Sequence, residues 1–438
     1  MKFTSDDLRK ALNINIAGNE TYEISTDTRT IKKGDLYLPL KGANFNGEDF
    51  CDKAITAGAA GCFYTKEKPC EFAIKVDDTL TAYLKLANYI RTKYNPIVIG
   101  VTGSSGKTTT KEMIYSVLSE KFKTHKTFSN HNNEIGFCQT VLSMPEDCEV
   151  LIVEMGMRGL GEIELITKYA QPDFAVITNA GSAHIGRLGS LDNIAKAKCE
   201  ITKYLKKALI AHNNDRIKKF ANFDGEKIFY SINDVKILDK REGYSKFIYK
   251  DREYELNIEG EYNVENSLAA INLGYKLELS YEQIKSGLSK YKPIEKRWEI
   301  QKIGEYNIIN DSYNANPESM KAAVSTFLDL YDNPVVILGN MGELGENEIE
   351  FHKEVGEFIT KKYDGNSHVK FITVGDLAYY ISEELKKVFD EVHHFNNNIE
   401  TSRYILDNLH EGCTIFLKAS RAMKFEEIID NLNKGGKQ

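Results

Sequence analysis

Lys107, with three threonines after it and two closely spaced glycines before it, is the part of this chain best equipped for chemistry. The stretch reads Ile97-Val98-Ile99-Gly100-Val101-Thr102-Gly103-Ser104-Ser105-Gly106-Lys107-Thr108-Thr109-Thr110. An apolar run of strand length enters a Gly/Ser turn, and a helix is predicted to begin near Lys107. Backbone N–H groups from Gly103, Ser104, Ser105 and Gly106 through Thr108 and Thr109 can then face a triphosphate, and the helix dipole favours the same anion. Lys107 is placed to bridge the β- and γ-phosphates, and the Thr108 hydroxyl to ligate Mg²⁺. The strict pattern G-x-x-x-x-G-K-[ST] is not met, because Val101 stands five before Gly106, flanked by Gly100 and Gly103. The order of strand, glycines, Lys and Thr still makes ATP and Mg²⁺ the expected cofactors.

Two further groups fall near that loop. Glu154 closes the apolar run Val150-Leu151-Ile152-Val153. At the carboxyl end of a parallel strand it points into the crevice where α/β folds bind ligands. Taken alone, a surface glutamate at a loop start reads as well. His184 follows the next run, Phe174–Thr178, and should overlie the same crevice. Lys196 and Lys198 share a helix and by residue type alone read as solvated.

The elements that must position these groups set the organisation. At roughly 150 residues per domain, 438 residues suggest about three domains. The spans are 1–95, 96–296 and 297–438, with Pro96 as the first boundary. Short strand-like runs, Leu36–Leu38 and Gly61–Tyr64, precede a helical pattern over Thr79–Lys93. From 96 to 296 buried strands alternate with helices, the signature of a parallel sheet covered on both faces. The alternation resumes after Arg297 with strands Val335–Leu338, Phe371–Val374 and Thr414–Leu417 and helices Glu348–Thr360 and Leu377–Val388. The fold class is therefore α/β, with a central P-loop-type parallel sheet and a C-terminal Rossmann-like domain. The tail from Lys434 to Gln438 is expected to be disordered.

A net charge of -7 argues against nucleic acid as the main partner, since counterion release needs a basic surface. No apolar run approaches the roughly 20 residues of a membrane span, and MKFTSDDLRK carries no apolar signal core. A cytoplasmic monomer is expected. The seven cysteines are scattered without a C-x-x-C, so buried free thiols fit better than zinc or disulfides.

The loop T-G-S-S-G-K-T-T-T resembles the Mur ligase family, the ATP-dependent amide-forming enzymes of bacterial cell-wall precursor synthesis. Asn130-His131-Asn132-Asn133-Glu134-Ile135-Gly136, Glu154-Met155-Gly156-Met157-Arg158-Gly159 and Asn310-Asp311-Ser312-Tyr313-Asn314-Ala315-Asn316-Pro317 look like its D-alanyl-D-alanine-adding branch. The resemblance implies UDP-N-acetylmuramoyl-tripeptide and D-Ala-D-Ala as substrates and an acyl-phosphate intermediate. By the same resemblance, Glu154 and His184 join Thr108 as magnesium residues. Lys198, as a CO₂ carbamate, would join them. Asn266 is implied at adenine, Asp311 near the ribose, and Arg297 at the phosphates from the domain junction. Lys107, His184, Lys198 and Arg297 form the implied catalytic set. Thr28, Arg29, Lys41, Asn133, Asn314 and Asn316 are the implied substrate contacts. His352 matches a recurring family histidine, with a structural role equally open.

Two rivals stay open at this point. A sister ligase adding the third, diamino, residue should carry D-N-P-R; Asp332-Asn333-Pro334-Val335 lacks the Arg and precedes a strand. A mechanical or regulatory P-loop ATPase would turn over ATP without an amine acceptor.

Overall fold

Continuous runs of aliphatic residues build the sheet that carries the phosphate loop. Six parallel strands lie in the order Glu226–Tyr230, Ala208–His212, Phe174–Ile177, Ile97–Thr102, Val150–Glu154, Thr124–Lys126. Val98, Ile99, Val101, Leu151, Ile152, Val153, Ala175, Val176 and Ile177 are all fully buried. Helices cover both faces, which is why these strands read as unbroken apolar runs. The chain leaves Ile97–Thr102 toward one edge and later returns to its other side. The carboxyl end of that strand is therefore the switch point where a crevice opens.

The computed structural model describes all residues except 43, 295, 305, 365–367, 410–411 and 436–438. Before the central sheet, Lys2–Thr4 pairs antiparallel with Thr21–Ser25. Leu36–Tyr37, Gly61–Tyr64 and Ala73–Lys75 continue that sheet in parallel. Helix Thr79–Tyr94 starts where Asp78 accepts from Thr81 N and stops at Asn95 in the left-handed region. After it, a six-stranded sheet runs Glu299–Ile303, Tyr306–Asn310, Thr414–Lys418, Pro334–Gly339, Lys370–Val374, Val392–Phe395. Among the described residues, no helix is long and apolar enough to cross a membrane. All seven cysteines are free thiols.

The structure corrects several expectations. Residues 235–256 do not continue the strand–helix alternation: Val235–Arg241, Tyr244–Tyr249 and Arg252–Leu256 form a separate antiparallel sheet. Ser245, Phe247 and Tyr249 turn inward on alternate positions, the mark of a half-covered strand. The C-terminal sheet is mixed, because Glu299–Ile303 pairs antiparallel at its edge. The helix expected over Leu377–Val388 spans only Tyr379–Leu385. Of the tail expected to be disordered, Lys434 and Gly435 close helix Glu426–Gly435, and 436–438 lie outside the described residues.

Candidate active site between the central and C-terminal sheets

The turn after Ile97–Thr102 is tight enough to require glycine twice. A Cβ on Gly103 would stand 1.9 Å from Thr178 Oγ1. One on Gly106 (φ +75°) would stand 2.5 Å from Asn266 Oδ1. Gly106 is also the residue before helix Lys107–Leu118. The Asn179 carboxamide oxygen accepts from Ser104 N at 3.0 Å and Ser105 N at 2.9 Å, and its Nδ2 donates to Ser105 Oγ at 2.9 Å. In this structure the Ser104 and Ser105 amides are thus held within the turn, while both residues line the cavity. The amides left to an anion are those of the first helical turn, Lys107 to Thr109, which have no intrahelical acceptor. Lys107 Nζ folds over the turn, donating to Gly103 O at 2.8 Å and Ser104 O at 3.3 Å. Loss of water lowers its ammonium below the ordinary lysine range, with Glu154 opposing and Arg297 adding to the effect.

Glu154 ends its strand with its side chain only 1% exposed. Oε1 accepts from Asn132 Nδ2 at 3.0 Å, whereas Oε2 has no hydrogen-bond partner and lies 3.5 Å from Lys111 Nζ. Lys111, fully buried, donates to Thr127 O at 2.8 Å. A carboxylate oxygen at a cavity wall that accepts no hydrogen bond has a lone pair to offer a hard cation. Among the described residues no three His, Cys, Asp or Glu side chains converge as a complete cage. Mg²⁺ fits such a wall, since it usually keeps one or two protein carboxylates and fills its shell with phosphate and water.

His184 stands in the left-handed region (φ +67°) ahead of the short helix Ile185–Leu188. Its Nδ1 contacts the Glu343 carboxylate, which comes from the C-terminal part of the chain and is held below the usual carboxylate range by that imidazole. Lys198, on helix Leu191–Cys199, is fully buried and its Nζ has no hydrogen-bond partner. Burial first, then neighbouring Lys107, depresses it well below the lysine range. The result is a buried amine with no hydrogen-bond partner, not the solvated lysine that residue type suggested.

The C-terminal part closes the cavity from the other side. Arg297 Nη2 donates to Thr108 Oγ1 at 2.9 Å, and its guanidinium carbon lies 3.7 Å from the Tyr313 ring centre. Asp311 accepts from Lys418 Nζ at 2.5 Å. Glu318 accepts from Ser182 N at 3.0 Å and Ser182 Oγ at 2.7 Å. Between these walls lies a cavity of ≈ 910 Å³. It gathers Ser104 to Thr109 with Glu154 and His184. Asn133, Asn266, Arg297, Asp311, Asn314 and Asn316 line it as well.

Asn266 lies within helix Glu261–Lys276 and caps nothing, since Gly260 holds the cap position. Asn133 and Asn316 each use Oδ1 to cap a helix, accepting from Gly136 N and Ser319 N. Asn314 Oδ1 accepts from Ala315 N. Their carbonyl ends are thus engaged locally.

Gly103, Lys198, Thr28, Arg29 and Lys41 are not brought to the cavity wall. Arg29 is paired with Asp27 through Nε at 2.9 Å and Nη2 at 2.6 Å, and this holds Asp27 at about 2. Lys41 is exposed and bridges to Asn46. Asn179, Lys111, Glu318, Glu343, Tyr313 and Lys418 were not singled out for the site from sequence. Tyr313 stands inside the Asn310–Pro317 motif, which was its only signal.

Arg297→Ala removes a charged hydrogen bond across the two halves, so kcat/KM for ATP should fall roughly 10- to 100-fold. Arg297→Lys should not rescue it, because an ammonium neither forks nor stacks on Tyr313. Steady-state kinetics against ATP concentration check both; a fully active Lys variant would refute the stacking argument.

Three family models match in succession: the Mur ligase family catalytic domain over residues 20–97, the Mur ligase middle domain over 101–274, and the Mur ligase glutamate ligase domain over 296–421. The chain belongs to the Mur ligase family. It is 40% identical over 430 residues to the UDP-N-acetylmuramoyl-tripeptide–D-alanyl-D-alanine ligase of Bacillus subtilis, covering 93% of this chain and 92% of that one. The protein of that name from Escherichia coli is 30% identical over 432 residues, covering 94% of each. Among solved structures, MurF from Acinetobacter baumannii superposes with a TM-score of 0.90 at 26% identity, over 99% of both chains. MurF from Thermotoga maritima, in complex with ADP, gives 0.84 at 26% identity, over 95% of this chain and 98% of that one.

This Mur ligase is thus an ATP-dependent peptide ligase of the cell-wall precursor route. Its His352 is buried and structural in geometry. Nε2 accepts from Met341 N at 2.9 Å and Nδ1 meets Glu348 O at 2.6 Å. The imidazole thereby braces the loop that carries Glu343.

Proposed function

We propose that this chain joins D-alanyl-D-alanine to UDP-N-acetylmuramoyl-tripeptide, with ATP converted to ADP and phosphate. The tripeptide's terminal carboxylate oxygen attacks the γ-phosphorus, its O–P bond forms as the bond to ADP breaks, and an acyl phosphate results. The dipeptide amine then attacks the acyl carbon, loses a proton and expels phosphate. The observation that carries this reading is the Arg297–Thr108 bond, which sets a cation of the C-terminal half on the phosphate loop. The names of the relatives supply the substrates.

Lys107 and Arg297 neutralise charge on the transferring phosphoryl group, and the walls hold the reactants in line. Thr108, Glu154, His184 and carbamylated Lys198 would hold Mg²⁺, which when bound spreads the phosphate charge. The Glu154 oxygen and the Lys198 amine, neither of which makes a hydrogen bond, both suit that role. Asn266 and Asp311 take the nucleoside, and Asn133 the tripeptide. Asn314 and Asn316 offer amides to the zwitterionic dipeptide. Thr28, Arg29 and Lys41, in the 1–95 domain, meet the UDP-sugar once Arg29 exchanges Asp27 for diphosphate. Domain 96–296 supplies the phosphate loop and 297–438 the dipeptide side. The enzyme works as a cytoplasmic monomer.

An ADP-release assay with UDP-muramoyl-tripeptide tests the reading. Release should depend on D-Ala-D-Ala and be near background with single amino acids. Turnover independent of any amine would instead identify an ATPase.

A further inference from the structure

Behind Glu154, on the side turned away from the cavity, stands a lysine that the reaction scheme does not use. Lys111 lies one turn beyond Lys107 on helix Lys107–Leu118 and is fully buried. Its Nζ donates to Thr127 O at 2.8 Å and to Ser129 O at 3.4 Å. Two carboxylates complete its surroundings, Glu112 at 3.3 Å and Glu154 at 3.5 Å. We propose that Lys111 is a positioning residue, a resident counter-ion that lets Glu154 take a divalent cation only in company with the nucleotide's phosphates. The inference rests on Glu154 as a magnesium residue in the reading above, and adds the order in which metal and nucleotide engage it.

Burial makes this charge count. The Glu154 side chain is 1% exposed, so water screens it little, and a carboxylate taken out of water needs a partner. Lys111 compensates the charge without occupying the lone pair, because Oε2 accepts no hydrogen bond. Glu112 does not draw Lys111 away, since Lys126 holds its other oxygen. Among the described residues, two ammonium groups therefore face two carboxylates, and the cluster is neutral before any ion enters. A dication on Glu154 alone would meet the Lys111 ammonium a few ångströms behind it. Phosphate oxygens bring the negative charge that offsets this repulsion.

The ammonium cannot swing aside. Thr127 N donates to Ile152 O at 2.9 Å, and Thr127 Oγ1 accepts from Glu154 N at 3.0 Å. The carbonyls that hold Lys111 thus belong to a segment stitched to the strand that Glu154 ends. Ammonium and carboxylate share one frame, and their separation is set by backbone.

Isothermal titration of Mn²⁺ into the nucleotide-free full chain tests the proposal. Lys111→Gln, which keeps an N–H donor and removes the charge, should bind the ion at least about tenfold more tightly than wild type. Neither a merely structural lysine nor a loosened fold would give a gain of affinity. Lys111→Arg keeps the charge and should bind as weakly as wild type. Adding Glu154→Gln to Lys111→Gln should abolish the gain and so place the ion on that carboxylate. Unchanged or weaker binding by Lys111→Gln, a gain shared by Lys111→Arg, or a gain that survives Glu154→Gln overturns the inference. Wild type supplies a second measurement that needs no variant to fold. Mn²⁺ and ADP should each tighten the other's binding by the same factor, at least about ten; a factor near one overturns the inference. If Glu154→Gln leaves Mn²⁺ affinity of the ADP complex untouched, Glu154 is not a magnesium residue and the inference falls with that assignment. The ligase reading stands or falls separately, on dipeptide-dependent ADP release.

Discussion

Lys107→Ala should lower kcat by roughly 10²- to 10³-fold, the usual loss when one placed electrostatic stabiliser is removed, while the fold survives. The ammonium stands at the cavity wall on two carbonyls of its own turn, short of water and depressed for that reason. Poor solvation makes its attraction for an incoming phosphate stronger than it would be at the surface. The same crowding keeps the structural loss small. Arg297 and Lys198 both lie close enough to lower or be lowered by it, so removing Lys107 relieves like-charge repulsion. ADP release and thermal unfolding of the purified variant decide the matter together. Ligation retained within tenfold would remove Lys107 from the chemistry; a collapsed melting transition would make the residue structural.

Lys198→Met should separate activity from stability, with opposite signs. Activity should drop by about two orders of magnitude, because the buried amine is the group available to become a magnesium-holding carbamate. Stability at neutral pH should hold or rise, since a volume-matched apolar side chain replaces a polar group with no partner. The pH dependence has a definite sign. The folded amine titrates well below 10.5, the unfolded one near it. Between those limits the unfolded chain holds the extra proton, so stability rises with pH. Above 10.5 the effect is complete, and below the folded value it is absent. Denaturant unfolding from pH 7 upward in CO₂-free buffer should therefore show wild type gaining on Lys198→Met. Parallel curves would mean that Lys198 is not neutral when buried. In bicarbonate, wild type alone should gain a CO₂ mass that acid removes.

The phosphate loop was legible because its signal is local: one buried strand, glycines at forced positions and a helix start all lie within fourteen consecutive residues. Glu154 was legible by the same logic, as the last residue of an apolar strand. Arg29 illustrates the limit, since nothing in its type says that Asp27 two residues away will hold it. Lys198 illustrates it further. Its burial depends on how helix Leu191–Cys199 packs, which residue type on a short helix does not reveal. The sheet at 235–256 escaped notice for a turn-chemistry reason. Lys250 and Asp251 both adopt positive φ, 49° and 59°, where the usual hairpin signal is Asn-Gly. The links across the crevice, Glu318 to Ser182 and Glu343 to His184, join residues more than a hundred positions apart, and no spacing rule reaches that far.

Asn179 gives the phosphate loop a permanent internal counterpart. Its carboxamide oxygen gathers two consecutive amides much as a phosphate oxygen would, but it belongs to the chain and never leaves. The turn is therefore braced before any ligand arrives, so nucleotide capture should not have to freeze a mobile loop. Product departure is eased for the same reason, because ADP takes none of the loop's structural support with it. The loop is a braced socket, and Arg297 reaches it from the C-terminal side of the cavity.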